Sequence, residues 1–328
     1  MLKIKPKISV CIPLYNGQST IGEAIESILA QTYKNFEILV IDDCSPDKSV
    51  LEAKKFTDKR VRVIVNKKNI GCGANLSKCQ EQARADIVFY VCGDDVLVDK
   101  NALEKIVKVF RNNKDVGMVT RPYYWFQESV YKPVRLTRQF NKNQVVSIRS
   151  DYKKITDVIA LSDQISGIAL KKNLIDRPFS GHSFIEMASI VLPILKKHKV
   201  IILKDNIIGV RIGNNGASSP RVYVDSPMMV WHELIQEIFS ESKYKKLRQY
   251  LNDNFVANNY IGLVQIKNYA TWRQLFREIY FLLKLRPANF LIPKFWFFAL
   301  GTILVPRSLL RQMVLLYKNK INYKFINV

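Results

Sequence analysis

The run Ile87-Val88-Phe89-Tyr90-Val91-Cys92-Gly93-Asp94-Asp95 is five apolar residues, a short turn and two adjacent acids. An uninterrupted apolar run of this length reads as a strand buried on both faces, with the acids projecting from its carboxyl end. Upstream, strand-like runs over 8–12, 36–41 and 61–65 alternate with helical patterns over 20–31, 48–57 and 74–83. Strands alternating with helices predict an α/β fold with a mostly parallel, Rossmann-like sheet flanked by helices. In such sheets ligands bind beyond the carboxyl ends of the strands. Those ends carry Pro13-Leu14-Tyr15-Asn16, Asp42-Asp43-Cys44-Ser45, the segment 66–73 and Cys92-Gly93-Asp94-Asp95.

Downstream, a helix is expected over 100–110, and the pattern is then lost over 123–151, which reads as a long excursion across the active face. A strand over 164–170, a helix over 181–197 kinked at Pro193, and a strand or hairpin over 200–210 close a first domain, placed at 1–224. From 225 to 328 the reading is helical, with apolar residues at helical spacing over 229–239 and 274–285.

The 328 residues, 48% of them hydrophobic, suffice for a substantial core, and the net charge of +23 calls for an anionic partner. The charge is concentrated late: beyond Asp253 eleven Lys and Arg face a single acid, Glu278. Five cysteines, all within the first third and without a Cys-x-x-Cys pair, fit a reducing compartment. The start, with Lys3, Lys5 and Lys7, leads into a strand-like run rather than a signal peptide. The most apolar late stretch, 290–305, contains Pro293 and Lys294 and is shorter than the ~20 residues a membrane span needs.

Asp94 and Asp95 offer hard oxygen ligands suited to Mg²⁺ or Mn²⁺, or else cap the following helix. Asp42 can accept hydrogen bonds from a base or ribose, or serve its own turn. Asn69, Gly71, Gly73 and Asn75 form a glycine-rich opening to a helix, whose free N–H groups would face phosphate. Cys11, Cys44 and Cys92 all end strands, and they read better as small buried side chains than as a thiolate metal site.

Together the four loops resemble the inverting nucleotide-sugar transferases of glycosyltransferase family 2, which have the GT-A fold. The likeness runs through Ser9-Val10-Cys11-Ile12-Pro13-Leu14-Tyr15-Asn16, Gln31-Thr32-Tyr33, Ile38-Leu39-Val40-Ile41-Asp42-Asp43-Cys44-Ser45, Asn69-Ile70-Gly71, Ala74-Asn75 and Gly93-Asp94-Asp95, over about the first 120 residues. It implies that Pro13, Tyr15 and Asn16 lie about the base, that Asp42 meets the base edge, and that Asp94 and Asp95 serve ribose and metal. Asp43 would order its loop. Cys92 stands where the family often has a leading Asp, which leaves the division of ribose and metal duties open.

Inverting transfer needs a general base. The family places one near the start of a late helix, where Glu186 is the nearest match. His182 competes, because imidazoles titrate near neutral pH, and Asp163 is an outside candidate. Arg211, in Gly209-Val210-Arg211-Ile212-Gly213-Asn214-Asn215-Gly216, resembles an Arg-x-Gly-Asn stretch of family members acting in surface-polysaccharide synthesis. It would reach the donor diphosphate or pair with a nearby carboxylate.

The late aromatic and basic residues, from Trp272 onward, fit helices lying in an anionic membrane interface or packed on the first domain. No nucleic-acid motif is present. The expected protein is therefore a non-processive transferase, peripheral on the cytosolic membrane face, taking a nucleotide-sugar donor and a glycan or lipid-linked acceptor. A catalytically inactive nucleotide-binding or scaffolding protein of the same fold is the rival. A processive synthase would carry Gln-x-x-Arg-Trp and membrane spans, and a nucleotidyltransferase a glycine-rich basic first loop.

Overall fold

The computed structural model describes residues 7–213, 220–314 and 316. These form two compact units, the first holding 7–181 and 186–213, the second 182–185 and the described residues from 220 onward. The first unit contains strands β1 (Ile8–Leu14), β2 (Phe36–Asp42), β3 (Val61–Val65), β4 (Ile87–Tyr90), β5 (Val96–Leu97), β6 (Val116–Thr120), β7 (Tyr124–Phe126), β8 (Pro133–Leu136), β9 (Gln144–Val146), β10 (Ile168–Lys171), β11 (Lys199–Ile202) and β12 (Ile208–Arg211). Its helices are α1 (Ile21–Leu29), α2 (Ser49–Lys54), α3 (Cys72–Gln82), α4 (Ala102–Asn112), α5 (Tyr152–Leu161) and α6 (Ala188–Lys197).

Eight strands make one sheet in the order β3-β2-β1-β4-β10-β6-β11-β9. The first four are parallel, as their alternation with helices requires. Nearly every residue of β1, β2 and β4 is buried, because helices cover both faces, and this is why they read as continuous apolar runs. Helix α4 shows the complementary pattern, burying Ala102, Leu103, Ile106 and Phe110 along one stripe. The strand order reverses beside β1, so its carboxyl end and those of β2 and β4 open onto one crevice.

Past β4 the sheet is mixed. Strand β10 enters antiparallel between β4 and β6, and β9 closes the far edge antiparallel to β11. The stretch 123–151, expected to be irregular, contains β7, β8 and β9. These strands are three or four residues long and interleaved with Pro, Arg and Lys, too short for period-two alternation to register. The expected strand or hairpin over 200–210 is two strands in different sheets: β11 joins the large sheet, while β12 joins a four-stranded sheet ordered β5-β12-β7-β8. The helix expected from 181 begins at Ala188, because Ser189 Oγ accepts from the Ser180 N–H and donates to the Glu186 carbonyl, closing a turn ahead of it.

The second unit is helical: α7 (Pro227–Ile238), α8 (Lys245–Leu251), α9 (Gly262–Tyr269), α10 (Trp272–Leu285) and α11 (Pro293–Leu304). Thr271 and Gln274 form a capping box at the start of α10. Buried Asn289 ties the bundle together, accepting from Tyr260 OH at 2.7 Å and donating to the carbonyls of Ala257 and Leu282.

A buried arginine organises the first unit behind the crevice. Arg121, with no exposed surface, donates from its guanidinium to the carbonyls of Leu161, Gln164 and Ser166. Gly167, at φ +90°, passes so close that a Cβ there would lie 2.3 Å from Arg121 Nε. Arg121 is held by three carbonyls and cannot withdraw, so Gly167→Ala is expected to cost about 2 to 4 kcal/mol, read as a lowered urea midpoint with unchanged m.

Candidate functional site

The loops after β1 and β2 are stitched into one rim. The Asn16 N–H donates to Ser45 Oγ at 2.9 Å, and Ser45 in turn gives its hydroxyl and its backbone N–H to the two oxygens of Asp42. Gly17 N–H reaches Ser49 Oγ and Gln18 N–H reaches Asp47, so α1 and α2 begin in fixed register. Both turns use a residue in the left-handed region, Asn16 at φ 55° and Cys44 at φ 62°. Asparagine tolerates this conformation, whereas for cysteine it costs on the order of 1 kcal/mol. Pro13 is half-buried and Tyr15 projects its ring outward, 53% exposed.

Asp43 orders the next loop. Its carboxylate accepts from Asn66 Nδ2 and from the backbone N–H groups of Ile70 and Gly71, each at 2.8 to 2.9 Å. The N–H of Gly71 is therefore not free for phosphate, as the glycine-rich pattern led one to expect, and Asn69 Oδ1 also accepts from it. Asn75 is turned inward as well: buried, it donates to the Ile41 carbonyl and accepts from Asn66. Both residues brace the rim from beneath.

At the end of β4, Asp95 is buried and fully subscribed. Oδ1 accepts the Arg211 N–H at 2.9 Å, and Oδ2 accepts Gln164 Nε2 at 3.0 Å and Ser166 Oγ at 2.5 Å. Ser166 Oγ also takes the Cys92 N–H, at 2.7 Å. Burial first, and then the neighbouring Asp94 charge, push the Asp95 carboxyl up to about 7 against the pull of those donors. Asp94 is raised too, again by burial, with Arg211 partly offsetting it. The Asp94 carboxylate takes no hydrogen bond from another described side chain.

Cys92 Sγ and the carboxylates of Asp94 and Asp95 offer atoms lying within 4.8 Å of one another. The donor set fits a divalent cation through Asp94, since two desolvated acids with raised pKa lack the counter-charge a cation provides. Cys92 contributes a neutral thiol: burial, then the charges of Asp95 and Asp94, hold its pKa well above the usual value. Cys11 is buried as expected and Cys92 partly so, but Cys44 is exposed, because its left-handed turn carries the side chain off the sheet; among the described residues the group placed to hold a metal contains Cys92 with the two acids and no second thiol.

Arg211 does not point a free guanidinium outward. It pairs with Glu23, donates from Nε to the Asp94 carbonyl and stacks 4.5 Å over Phe126. The expected continuation through Asn214 and Gly216 lies outside the described residues.

Glu186 is 7% exposed in the turn before α6. The segment ahead of it packs on α3: a Cβ on Gly73, in the first turn of that helix, would lie 2.1 Å from the Ser180 carbonyl oxygen, so only glycine lets this segment pack there. The Cys72 thiol, although exposed at the start of α3, is raised by crowding and by the charges of both Glu186 and Asp43. Burial drives the Glu186 carboxyl up to about 7, a bond from its own backbone N–H offsetting part of this. His182 belongs to the second unit, with Nδ1 3.2 Å from Asp225 Oδ2. Asp163, exposed ahead of β10, accepts from Tyr123 OH at 2.9 Å beside Arg121, its carboxylate already engaged there.

Residues 9–164 match the family model described as glycosyl transferase family 2. The chain carries a glycosyl transferase family 2 domain. Its sequence relatives include the putative glycosyltransferase EpsE of Bacillus subtilis, 34% identical over 134 residues, covering 40% of this chain and 48% of EpsE. WfgD of Escherichia coli, a UDP-Glc:α-D-GlcNAc-diphosphoundecaprenol β-1,3-glucosyltransferase, is 29% identical over 106 residues, covering 32% of this chain and 42% of WfgD. The matched segments thus span about half the length of these relatives.

Among solved structures, S. aureus TarS 1-349 with UDP-GlcNAc superposes at a TM-score of 0.67 and 18% identity, over 97% of this chain and 89% of that one. A mannosyltransferase of Pyrobaculum calidifontis with GDP-Man and Mn²⁺ gives 0.55 and 15%, over 92% and 87%. These two likenesses establish the fold. The family 2 domain places the Asp94 and Asp95 pair, the Asp42 turn and Tyr15 at one end of its sheet. Gln164 and Ser166, which bond Asp95, and Arg121, which holds their loop, escaped sequence reading, because Gln164 and Ser166 lie some 70 residues from Asp95 and no motif joins any of the three.

Glu186 links the site to stability. With a folded pKa above the unfolded one, its contribution is fully present below about pH 4.5 and is lost as pH rises through 7, a cost by pH 8 of roughly 3 kcal/mol. Glu186→Gln never ionises, so its denaturation midpoint is expected to match wild type near pH 4 and exceed it at pH 8.

Proposed function

We propose that this family 2 protein transfers one sugar, with inversion, from a nucleoside-diphosphate sugar to a saccharide acceptor. The observation that carries the reading is the acid pair at the end of β4, one carboxylate locked by three donors and the other left without a side-chain partner. Asp94 would hold Mg²⁺ or Mn²⁺, which when bound neutralises charge on the departing diphosphate. Asp95 fixes Asp94 by anchoring the loop, and its own oxygens are already engaged. Tyr15 and Pro13 offer an apolar wall to the base. Asp42, with Ser45 and Asn16, shapes the rim beside it.

Glu186 is the general base. Its carboxylate takes the proton of the acceptor hydroxyl, the freed oxygen bonds to the anomeric carbon, and the bond from that carbon to the diphosphate oxygen breaks with its electron pair. A pKa near 7 matches the base to neutral pH. Supporting relatives are WfgD, whose name gives a UDP-glucose donor and a lipid-linked acceptor, and the two solved structures holding UDP-GlcNAc and GDP-Man. A lipid-linked or polymeric glycan is accordingly the acceptor class we assign.

An anionic membrane surface as partner is favoured by the second unit. Beyond Asp253 its one acid, Glu278, is buried, accepting from Ser226 Oγ and Arg277 Nε. What it exposes is cationic and aromatic: Trp272, Phe276 and Tyr280 form a stripe along α10, and Phe297, Leu300 and Leu304 one along α11. No helix of the described residues is long and apolar enough to cross a membrane, so attachment would be interfacial.

Screening UDP-, GDP-, CDP- and dTDP-sugars for hydrolysis with and without Mn²⁺ tests the donor reading. Asp94→Asn is expected to lower turnover by about 10² or more, and Glu186→Gln by about as much while still binding donor. Nucleotide binding indifferent to both metal and Asp94 would sink it. Because the base must be ionised, kcat/KM should climb up to about pH 7 and level above. In sedimentation assays, vesicles containing anionic lipid should retain the protein, salt should release it, and Trp272→Ala with Phe276→Ala should weaken retention; equal binding to neutral vesicles would remove the charge argument.

A further inference from the structure

We propose that the second unit carries a binding site for an uncharged pyranose sugar, in a pocket between α7, the turn over 252–256 and α9. Its volume is about 360 Å³, and small-molecule sites occupy about 300 to 1,000 Å³. The lining is unusual for so basic a chain, because among the described residues no Asp, Glu, Lys, Arg or His contributes to it. In a protein of net charge +23, a phosphate or carboxylate ligand would be expected to find cations; the described lining of this pocket provides none.

What it provides instead is rings and amides. Phe184, Trp231 and Phe255 supply aromatic surface, and Trp231 and Phe255 meet edge-on at 4.9 Å and 80°, so that one ring braces the other. The side-chain amides of Asn258, Asn259 and Gln265 are exposed and engage no other described residue. An aromatic face matches the C–H face of a pyranose, and each amide presents a donor and an acceptor suited to adjacent hydroxyls. A purely apolar occupant such as an acyl chain would strand those amides without partners.

The wall bearing Phe255 is pre-formed. Residues Asn252–Val256 take a π turn, closed by the Ala257 N–H on the Asn252 carbonyl, and such turns recur at functional sites. Three contacts from outside the pocket pin it: Asn252 Nδ2 donates to the Leu285 carbonyl, Asn252 Oδ1 meets His232 Nδ1 at 3.0 Å, and Arg286 donates to the Asp253 carbonyl. A rigid wall lowers the ordering cost of binding. Identifying the sugar as a unit of the acceptor glycan rests on the transfer reading above, whereas binding of an uncharged sugar does not.

Saturation-transfer NMR of the full chain with the methyl β-glycosides of glucose, galactose and N-acetylglucosamine, and with methyl α-mannoside, tests the site. At least one should bind in the millimolar range. Trp231→Ala should raise its Kd roughly tenfold, and Asn259→Ala or Gln265→Ala, truncations of exposed side chains, about threefold each. Silence from every glycoside at tens of millimolar, unchanged binding in all three variants, or preference for glucuronate or an alkyl detergent overturns the proposal. Titrating nucleoside diphosphates into the same samples separates the two readings. Nucleotide binding without glycoside binding overturns the pocket alone, and glycoside binding without any nucleotide binding overturns the transfer reading alone.

Discussion

The buried carboxylate of Asp95 is the constraint on which the crevice is built. Burying an unpaired acid costs several kcal/mol, so the side chain persists only where donors surround it. Here three donors come from two segments that meet on the β4 loop: the backbone at the end of β12, and the side chains of Gln164 and Ser166 ahead of β10. Satisfying Asp95 therefore fixes three chain segments at once, and Ser166 returns the constraint to the β4 loop through Cys92 N–H. The donors do not fully repay the burial, as the raised pKa of about 7 records. Asp94, on the same loop, inherits a fixed position without spending its own oxygens.

Behind this centre, Arg121 supplies compensating positive charge in the same low-dielectric region. Burial pulls its pKa down to about 10, while Tyr123, Asp163 and Asp95 hold it up. Its guanidinium satisfies the carbonyls of Leu161, Gln164 and Ser166, so a single cation both balances nearby acids and shapes the loop that supplies their donors. Asp43 works in the same way at the rim, spending its oxygens on Asn66, Ile70 and Gly71. Of the two acids ending β2, neither is idle: Asp42 serves the Ser45 turn, and the rim is rigid because both are engaged.

The parallel half of the sheet was legible because its strands are buried on both faces, which writes them as apolar runs such as Ile38 to Ile41, and because helices separate them regularly. The mixed half was not. Strand β10 was expected, but not its antiparallel entry beside β4, since orientation follows from which neighbours remain unpaired and not from the strand's own residues. The splitting of 200–210 between two sheets was invisible for the same reason. In the site, Asp94, Asp95 and Asp43 were read from motif and position. Asn75 and Gly71 were read as facing a ligand because short polar residues beside glycine look alike whether they bond inward or outward. Glu186 and His182, four residues apart, fall in different units, a separation no spacing rule registers.

Charge is segregated in this molecule, and the segregation has a consequence on the transfer reading. Around the crevice stand Asp42, Asp43, Asp94, Asp95 and Glu186, all buried or half-buried, while the cations that make the chain +23 lie largely elsewhere. Arg211, the cation closest to the acid pair in the hydrogen-bond network, is paired to Glu23. A nucleoside diphosphate approaching such a cluster meets like charge in a medium of low dielectric, where repulsion is strong. Affinity for the anion must then depend on what neutralises Asp94, and by linkage anything neutralising Asp94 is bound more tightly when the anion is present. The acids thus make donor binding conditional. With Arg211 paired to Glu23 and Arg121 held by three carbonyls, no cation described near the pair is left free to meet an incoming anion, and on the transfer reading this, more than the mere presence of two adjacent acids, favours an ion-binding arrangement over a helix cap.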